Sequence, residues 1–138
     1  MKIINTLLVE DDHLDTMDIQ RTLDKMSMVY KLGLAKNGEE AIALLNSYNG
    51  KAASLPDIIL IDINMPRMNG LELLQIVRNN EKWKHLKCFI LTTSEEKIDK
   101  EAAQKLGVSG YIIKPLKLSN PSSMDAFNLM IDLMNMKD

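Results

Sequence analysis

The chain has 138 residues, 46% of them hydrophobic and 26% charged, with a formal net charge of −2. That length supports one domain burying about two thirds of the surface its unfolded chain exposes, and the mild acidity offers nothing to a nucleic-acid backbone or an anionic membrane surface. No apolar run approaches the ~20 residues of a membrane span, the amino-terminal MKIINTLLVEDD turns acidic too soon for a signal peptide, and the lone Cys88 excludes an internal disulfide or a thiolate zinc site. The composition therefore reads as a cytoplasmic protein, with residues 1–138 forming a single domain.

In chain order, IINTLLV (3–9) is short, apolar and β-branched, as a strand covered on both faces should be, and it runs into Glu10, Asp11 and Asp12. Ile19, Leu23 and Met26 then recur at steps of four and three, which predicts a helix with one apolar face. VYKLGLA (29–35) alternates more, as expected of an edge strand. A helix from Gly38 to about Ser47 carries Glu39 and Glu40 in its first turn, where the helix dipole favours acids. The turn-rich NSYNGKAASLP (46–56) reads as a solvated loop. DIILI (57–61) predicts a buried strand that stops at Asp62, after which Met65-Pro66 and Asn69-Gly70 shape a loop and start a helix reaching about Asn79. Leu73, Ile76 and Val77 should be the buried face of that helix, with Trp83 covering its end.

CFILT (88–92) predicts a fourth strand, in which Cys88 is inert packing. Thr93 and Glu96 have capping-box spacing, and the helix they start should stop before a carboxy-terminal cap at Gly107. SGYII (109–113) is the fifth strand and leads into Lys114-Pro115. A last helix starts near NPSS, with Pro121 early in it, and carries a wide Met-rich arc from Met124 to Met136. That arc reads either as a deeply embedded helix or as a surface for a partner or second copy. His13 and His85 are isolated and read as surface residues.

Strand and helix alternate five times, which implies an α/β, doubly wound parallel sheet with right-handed crossovers and helices on both faces. In such sheets ligands bind beyond the carboxyl ends of the strands. There the sequence delivers Glu10, Asp11 and Asp12 after the first strand, Asp62 at the end of the third, Thr92 and Thr93 at the fourth and Lys114 at the fifth. Singly, each has a plain explanation: an acid capping a helix, a β-branched strand residue, a solvated lysine. Jointly they are harder to dismiss, because converging carboxylates repel unless a cation sits among them. Oxygen donors suit Mg²⁺ before Ca²⁺, and the ion's open side would take phosphate oxygens.

The motifs LLVEDD, IILIDINMPRMNG, FILTTS and GYIIKP, in that order, resemble the receiver domain of two-component response regulators. The resemblance implies a flavodoxin-like (βα)5 three-layer sandwich with strand order 2-1-3-4-5, the order known for the family's chemotaxis member. It implies that Asp62 accepts a phosphoryl group from a phosphohistidine of a sensor histidine kinase or a histidine phosphotransfer protein. Glu10, Asp11, Asp62 and the backbone carbonyl of Asn64 would hold Mg²⁺, with Mn²⁺ as a substitute. Thr92 and Lys114 would contact phosphoryl oxygens, Thr92 and Tyr111 would move as a coupled switch, and the peptide before Pro115 would be cis. Output would pass through the face of the fourth helix, fifth strand and fifth helix, to an unknown downstream protein, to an onward phosphotransfer step or to a homodimer partner. No output domain, nucleic acid or membrane is then implied, and no enzyme activity beyond the chain's own aspartyl phosphorylation and dephosphorylation.

Three other readings remain. A Mg²⁺-dependent phosphohydrolase with an aspartyl-phosphate intermediate usually carries a second acid where Asn64 stands. A degenerate scaffold would not keep Glu10, Asp11, Asp62, Thr92 and Lys114 together. Flavin binding lacks a Ser/Thr-rich phosphate loop after the first strand.

Overall fold

Each apolar run becomes a strand. In the computed structural model, which describes residues 3–25, 29–48, 55–63, 65, 68–92, 97–114 and 128, these strands are β1 (Ile3–Val9), β2 (Val29–Ala35), β3 (Ile58–Asp62), β4 (Lys87–Thr92) and β5 (Gly110–Ile113). They form one parallel sheet in the order β2-β1-β3-β4-β5. The helices between them are α1 (His13–Lys25), α2 (Gly38–Ser47), α3 (Gly70–Asn79) and α4 (Lys97–Lys105). This is the doubly wound, flavodoxin-like fold expected. The strand order reverses between β1 and β3, so the crevice for a ligand opens at the carboxyl ends of those two strands.

Strand residues alternate between two cores. Leu7, Val9, Ile59, Ile61, Cys88 and Ile90 pack with Ala41 and Leu45 of α2, Leu73, Leu74 and Val77 of α3, and Ala103 of α4. On the other face Leu8, Leu60, Phe89, Leu91 and Ile112 pack with Ile19 and Leu23 of α1. All five residues of β3 are buried, as a strand covered on both faces requires. At the sheet edge, β2 keeps several partly exposed positions. Trp83 is buried in the first cluster, close to the role expected for it, while His13 and His85 are exposed.

One expectation fails. Ile76 is 37% exposed rather than buried. The buried arc of α3 centres on Gly70, Leu73, Leu74 and Val77, and Ile76 lies beyond its edge. Met26, the loop residues 49–54, Asn64, Pro66, Thr93, Glu96, Pro115 and the Met-rich segment 124–136, apart from Asn128, lie outside the described residues.

Local chemistry sets the helix ends. The Asp12 carboxylate accepts from the backbone N–H of Leu14 (2.8 Å) and of Asp15 (3.1 Å), so Asp12 caps α1. Asn37 caps α2. Asn69 and Glu72 form a reciprocal capping box at α3. Gly107, at φ 70°, ends α4 as the sequence predicts. Its N–H donates to Gln104 and that of Val108 donates to Ala103, the paired bonds of a Schellman cap.

Gly70 fixes where α3 meets β3. A Cβ there would stand 2.5 Å from the Asp62 carbonyl oxygen and 2.8 Å from the Ile63 Cα. Both are backbone atoms, so nothing flexible can yield. Gly70→Ala is therefore expected to cost about 1–3 kcal/mol in denaturant unfolding and to shift the amide resonances around Asp62. A silent substitution would mean the helix can slide without cost.

Burial also settles Cys88. It lifts the thiol to about 11, against an opposing pull from the Arg78 guanidinium. The thiolate is the nucleophile, so near neutral pH the native protein should resist iodoacetamide and react only when guanidinium chloride unfolds it. Prompt alkylation of the folded chain, read by mass, would contradict this placement.

Candidate functional site

The site lies where β1 and β3 end. β1 delivers Glu10, whose backbone N–H donates to the Ala35 carbonyl and so continues the strand pairing by one residue. β3 delivers Asp62, held in register opposite Leu91 of β4. One carboxylate oxygen each from Glu10, Asp11 and Asp62 lies within 4.8 Å of the others. Glu10 and Asp62 are buried, whereas Asp11 faces solvent. The helix-capping explanation for these acids does not apply, because Asp12 caps α1 and Asn69 caps α3.

Lys114 follows β5 and reaches back across the sheet ends. Its backbone N–H donates to the Thr92 carbonyl at 2.8 Å, which fixes the start of the side chain. Its ammonium is 2.8 Å from Glu10 Oε1, 3.0 Å from Asp15 Oδ2 and 3.1 Å from Asp62 Oδ1, with only 8% of the side chain exposed. Burial opposes the charged form of this lysine. Hydrogen bonds to Glu10 and Asp15, with the charges of Asp62 and Glu10, outweigh burial and hold its pKa above the ordinary lysine range.

Glu10 shows the opposite balance. Desolvation by burial is the largest influence on it, and a hydrogen bond to Asp62 acts the same way. Together they raise its carboxyl to about 8 against the downward pull of Lys114. Three carboxylates gathered around one buried ammonium leave the cluster short of positive charge. Oxygen donors only, an exposed third carboxylate and that shortage fit a hard divalent cation.

Thr92 ends β4 buried, one residue past the Leu91 that pairs with Asp62. Tyr111 is half-buried on β5, where its hydroxyl donates to the Lys100 carbonyl and the Lys100 ammonium sits 5.8 Å from the ring centroid. Tyr111 is therefore tied to α4. Asn64 and Pro115 lie outside the described residues. Sequence reasoning missed Asp15. Its only local signal is an acid in a helix's first turn, which the helix dipole explains equally well.

The model of the response regulator receiver domain family matches residues 6–122. The chain belongs to that family. Among relatives of this receiver, the response regulator Rcp1 of Synechocystis sp. is 31% identical over 115 residues, which is 83% of this chain and 78% of that one. The probable methanogenesis regulatory protein FilR2 of Methanothrix harundinacea is 30% identical over 114 residues, covering 83% and 74%. A solved two-component response regulator from Legionella pneumophila superposes with a TM-score of 0.77 at 32% identity, covering 94% of this chain and 98% of that one. The structure of the phosphorylated cyanobacterial phytochrome response regulator RcpA gives a TM-score of 0.82 at 28% identity, covering 99% and 98%. The Mn²⁺-bound form of Rcp1 gives 0.71 at 30% identity, covering 91% and 88%. Among the described residues, no helix is long and apolar enough to cross a membrane.

Proposed function

We propose that this receiver is the phosphoacceptor switch of a two-component phosphorelay. Asp62 takes the phosphoryl group from a phosphohistidine of a sensor histidine kinase or histidine phosphotransfer protein. An Asp62 carboxylate oxygen forms the new O–P bond as the P–N bond breaks, and the imidazole keeps the electron pair and takes a proton from water. What supports this reading is the convergence of Asp62 with two further carboxylates and one buried ammonium at the strand ends. The phosphorylated state of RcpA and the Mn²⁺ in Rcp1 are in keeping with it.

Each residue has a physical task. Glu10, Asp11 and Asp62, with the Asn64 carbonyl, would hold Mg²⁺ or, in its place, Mn²⁺. The ion supplies positive charge between two anions that would otherwise repel. Lys114 supplies the second positive charge at the phosphoryl oxygens, where a loose transition state carries its charge. Thr92 donates its hydroxyl to a further oxygen. No separate general base is needed, since the attacking carboxylate carries no proton to remove.

Output follows from the same residues. When Thr92 turns toward the phosphoryl group, Tyr111 can move into the space it leaves, and its bond to the Lys100 carbonyl is the one at stake. That couples Asp62 to the face of α4 and β5, where a downstream protein, an onward phosphotransfer partner or a second copy would dock. We place the protein in the cytoplasm, where the single free Cys88 stays reduced.

The test is intact mass after incubation with acetyl phosphate and Mg²⁺, beside Asp62→Asn and a sample stripped of metal. A single phosphoryl adduct that needs both Asp62 and the metal is the expected result. A folded, metal-bound protein that takes no adduct, or takes it without Asp62, overturns the reading.

A further inference from the structure

We propose that Asp15 is a positioning residue for Lys114. It is an anionic berth outside the metal cluster, onto which the ammonium shifts when a divalent cation takes the oxygens of Glu10 and Asp62. The inference deepens the phosphoacceptor reading above and rests on it.

Lys114 has three N–H donors and three carboxylate neighbours, at 2.8 Å (Glu10), 3.0 Å (Asp15) and 3.1 Å (Asp62). Two of these belong to the cluster that could hold a cation, and Asp15 does not. In the metal-free protein the ammonium is therefore the cluster's own counter-ion. An incoming cation competes with it for the same two carboxylates, and two positive charges at that range repel. Lys114 has to give ground. It cannot retreat into water, because its side chain is almost wholly buried.

Asp15 removes that difficulty. Its side chain is 27% exposed, so it has access to water while it meets the ammonium. Its position is fixed by the Asp12 carboxylate, which accepts the Asp15 backbone N–H at 3.1 Å and pins the first turn of α1. Lys114 can thus lose Glu10 and Asp62 without becoming a buried, unpaired charge, the most costly outcome for such a group. It also stays beside Asp62, with N–H donors released for phosphoryl oxygens. An acid that served only the α1 dipole would stabilise the helix, but its effect would not depend on Lys114.

The test is Mn²⁺ binding to the full chain, read from the paramagnetic resonance signal of the free ion, with no phosphodonor present. Asp15→Asn is expected to weaken Mn²⁺ binding about tenfold while Lys114 is present, and only about twofold in a Lys114→Met background, where no ammonium has to move. Asp15→Glu, which keeps the carboxylate, should recover most of the loss. Should Lys114→Met fail to fold, Asp18→Asn supplies the comparison. It removes the same charge from the same helix, and its expected effect is within about twofold.

Equal losses from Asp15→Asn in both backgrounds, or from Asp15→Asn and Asp18→Asn, would reduce Asp15 to a distant charge and overturn the inference. An Asp15→Asn variant that binds Mn²⁺ like the parent would overturn it too, leaving the phosphoacceptor reading intact. A parent chain that binds no Mn²⁺ at all would instead overturn the metal reading of the site, and this inference with it.

Discussion

Lys114→Met is expected to slow acetyl-phosphate modification of Asp62 by about 10²–10³-fold at saturating Mg²⁺, the usual effect of removing one aimed charge from a developing anion. The Lys114 ammonium stands 3.1 Å from Asp62 Oδ1 in a nearly dry setting, so its charge acts with little screening. Methionine keeps the length and apolar stem, so the loss reports the charge. Lys114→Arg should recover only part of the rate. Three carboxylates arranged around one nitrogen suit a compact ammonium, and a planar guanidinium would spread its donors away from them. The metal-free Met variant should also be less stable by about 3–5 kcal/mol, since the buried Asp62 carboxylate then has no counter-ion beside it. Mn²⁺ should restore much of that, which makes stability with and without metal a second reading of the same charge. The rate of adduct formation by intact mass decides the first part. An unchanged rate would remove Lys114 from the chemistry and leave it as an ion-pair partner alone.

What the sequence made legible were features carried by single segments. Ile58 to Ile61 read as a buried strand because a short, β-branched apolar run fits little else, and the carboxylate at its end is visible without any knowledge of contacts. The same holds for Glu10 after β1, Thr92 at the end of β4 and Lys114 after β5. The parallel sheet then carries all four residues to one rim. Other features depend on three-dimensional detail. Asp11 and Asp12 are indistinguishable as acids after a strand, and only the turn into α1 makes Asp12 the cap. Helical periodicity told which side of α3 is apolar but not where the buried arc stops, and Ile76 fell just past it. Asp15 stayed hidden because the lysine it holds is 99 positions away.

Arg78 was the least legible of all, and its removal should be one of the largest losses of stability. A lysine or arginine in the last turn of a helix ordinarily reads as a solvated charge complementing the dipole. In this fold its guanidinium donates to four backbone carbonyls. Nε bonds Leu106 at 2.8 Å and Nη2 bonds Gly107 at 2.9 Å, while Nη1 bonds both Lys84 at 3.0 Å and Leu86 at 2.8 Å. Carbonyls carry no residue identity, so no pattern in the sequence announces them. Two of them follow the end of α4, where the Schellman cap leaves them without helical partners, and two belong to the turn that leads from α3 into β4. The arginine fork thus ties the entrance of β5 to the entrance of β4. Arg78→Ala is expected to lower unfolding free energy by about 3 kcal/mol, since four charged hydrogen bonds, those to Leu106 and Leu86 partly buried, are lost together. Arg78→Lys should recover less than half of that, because one ammonium cannot reach along two segments as a planar fork does. Denaturant midpoints measured at constant slope provide the comparison. Mn²⁺ affinity should hold in both variants well below their melting temperatures. Lys114 is anchored at the other end of β5 by its own bond to the Thr92 carbonyl, so the clamp and the phosphoacceptor site can fail separately. A Lys variant as stable as the parent would show that charge alone, without the fork, holds the two loops.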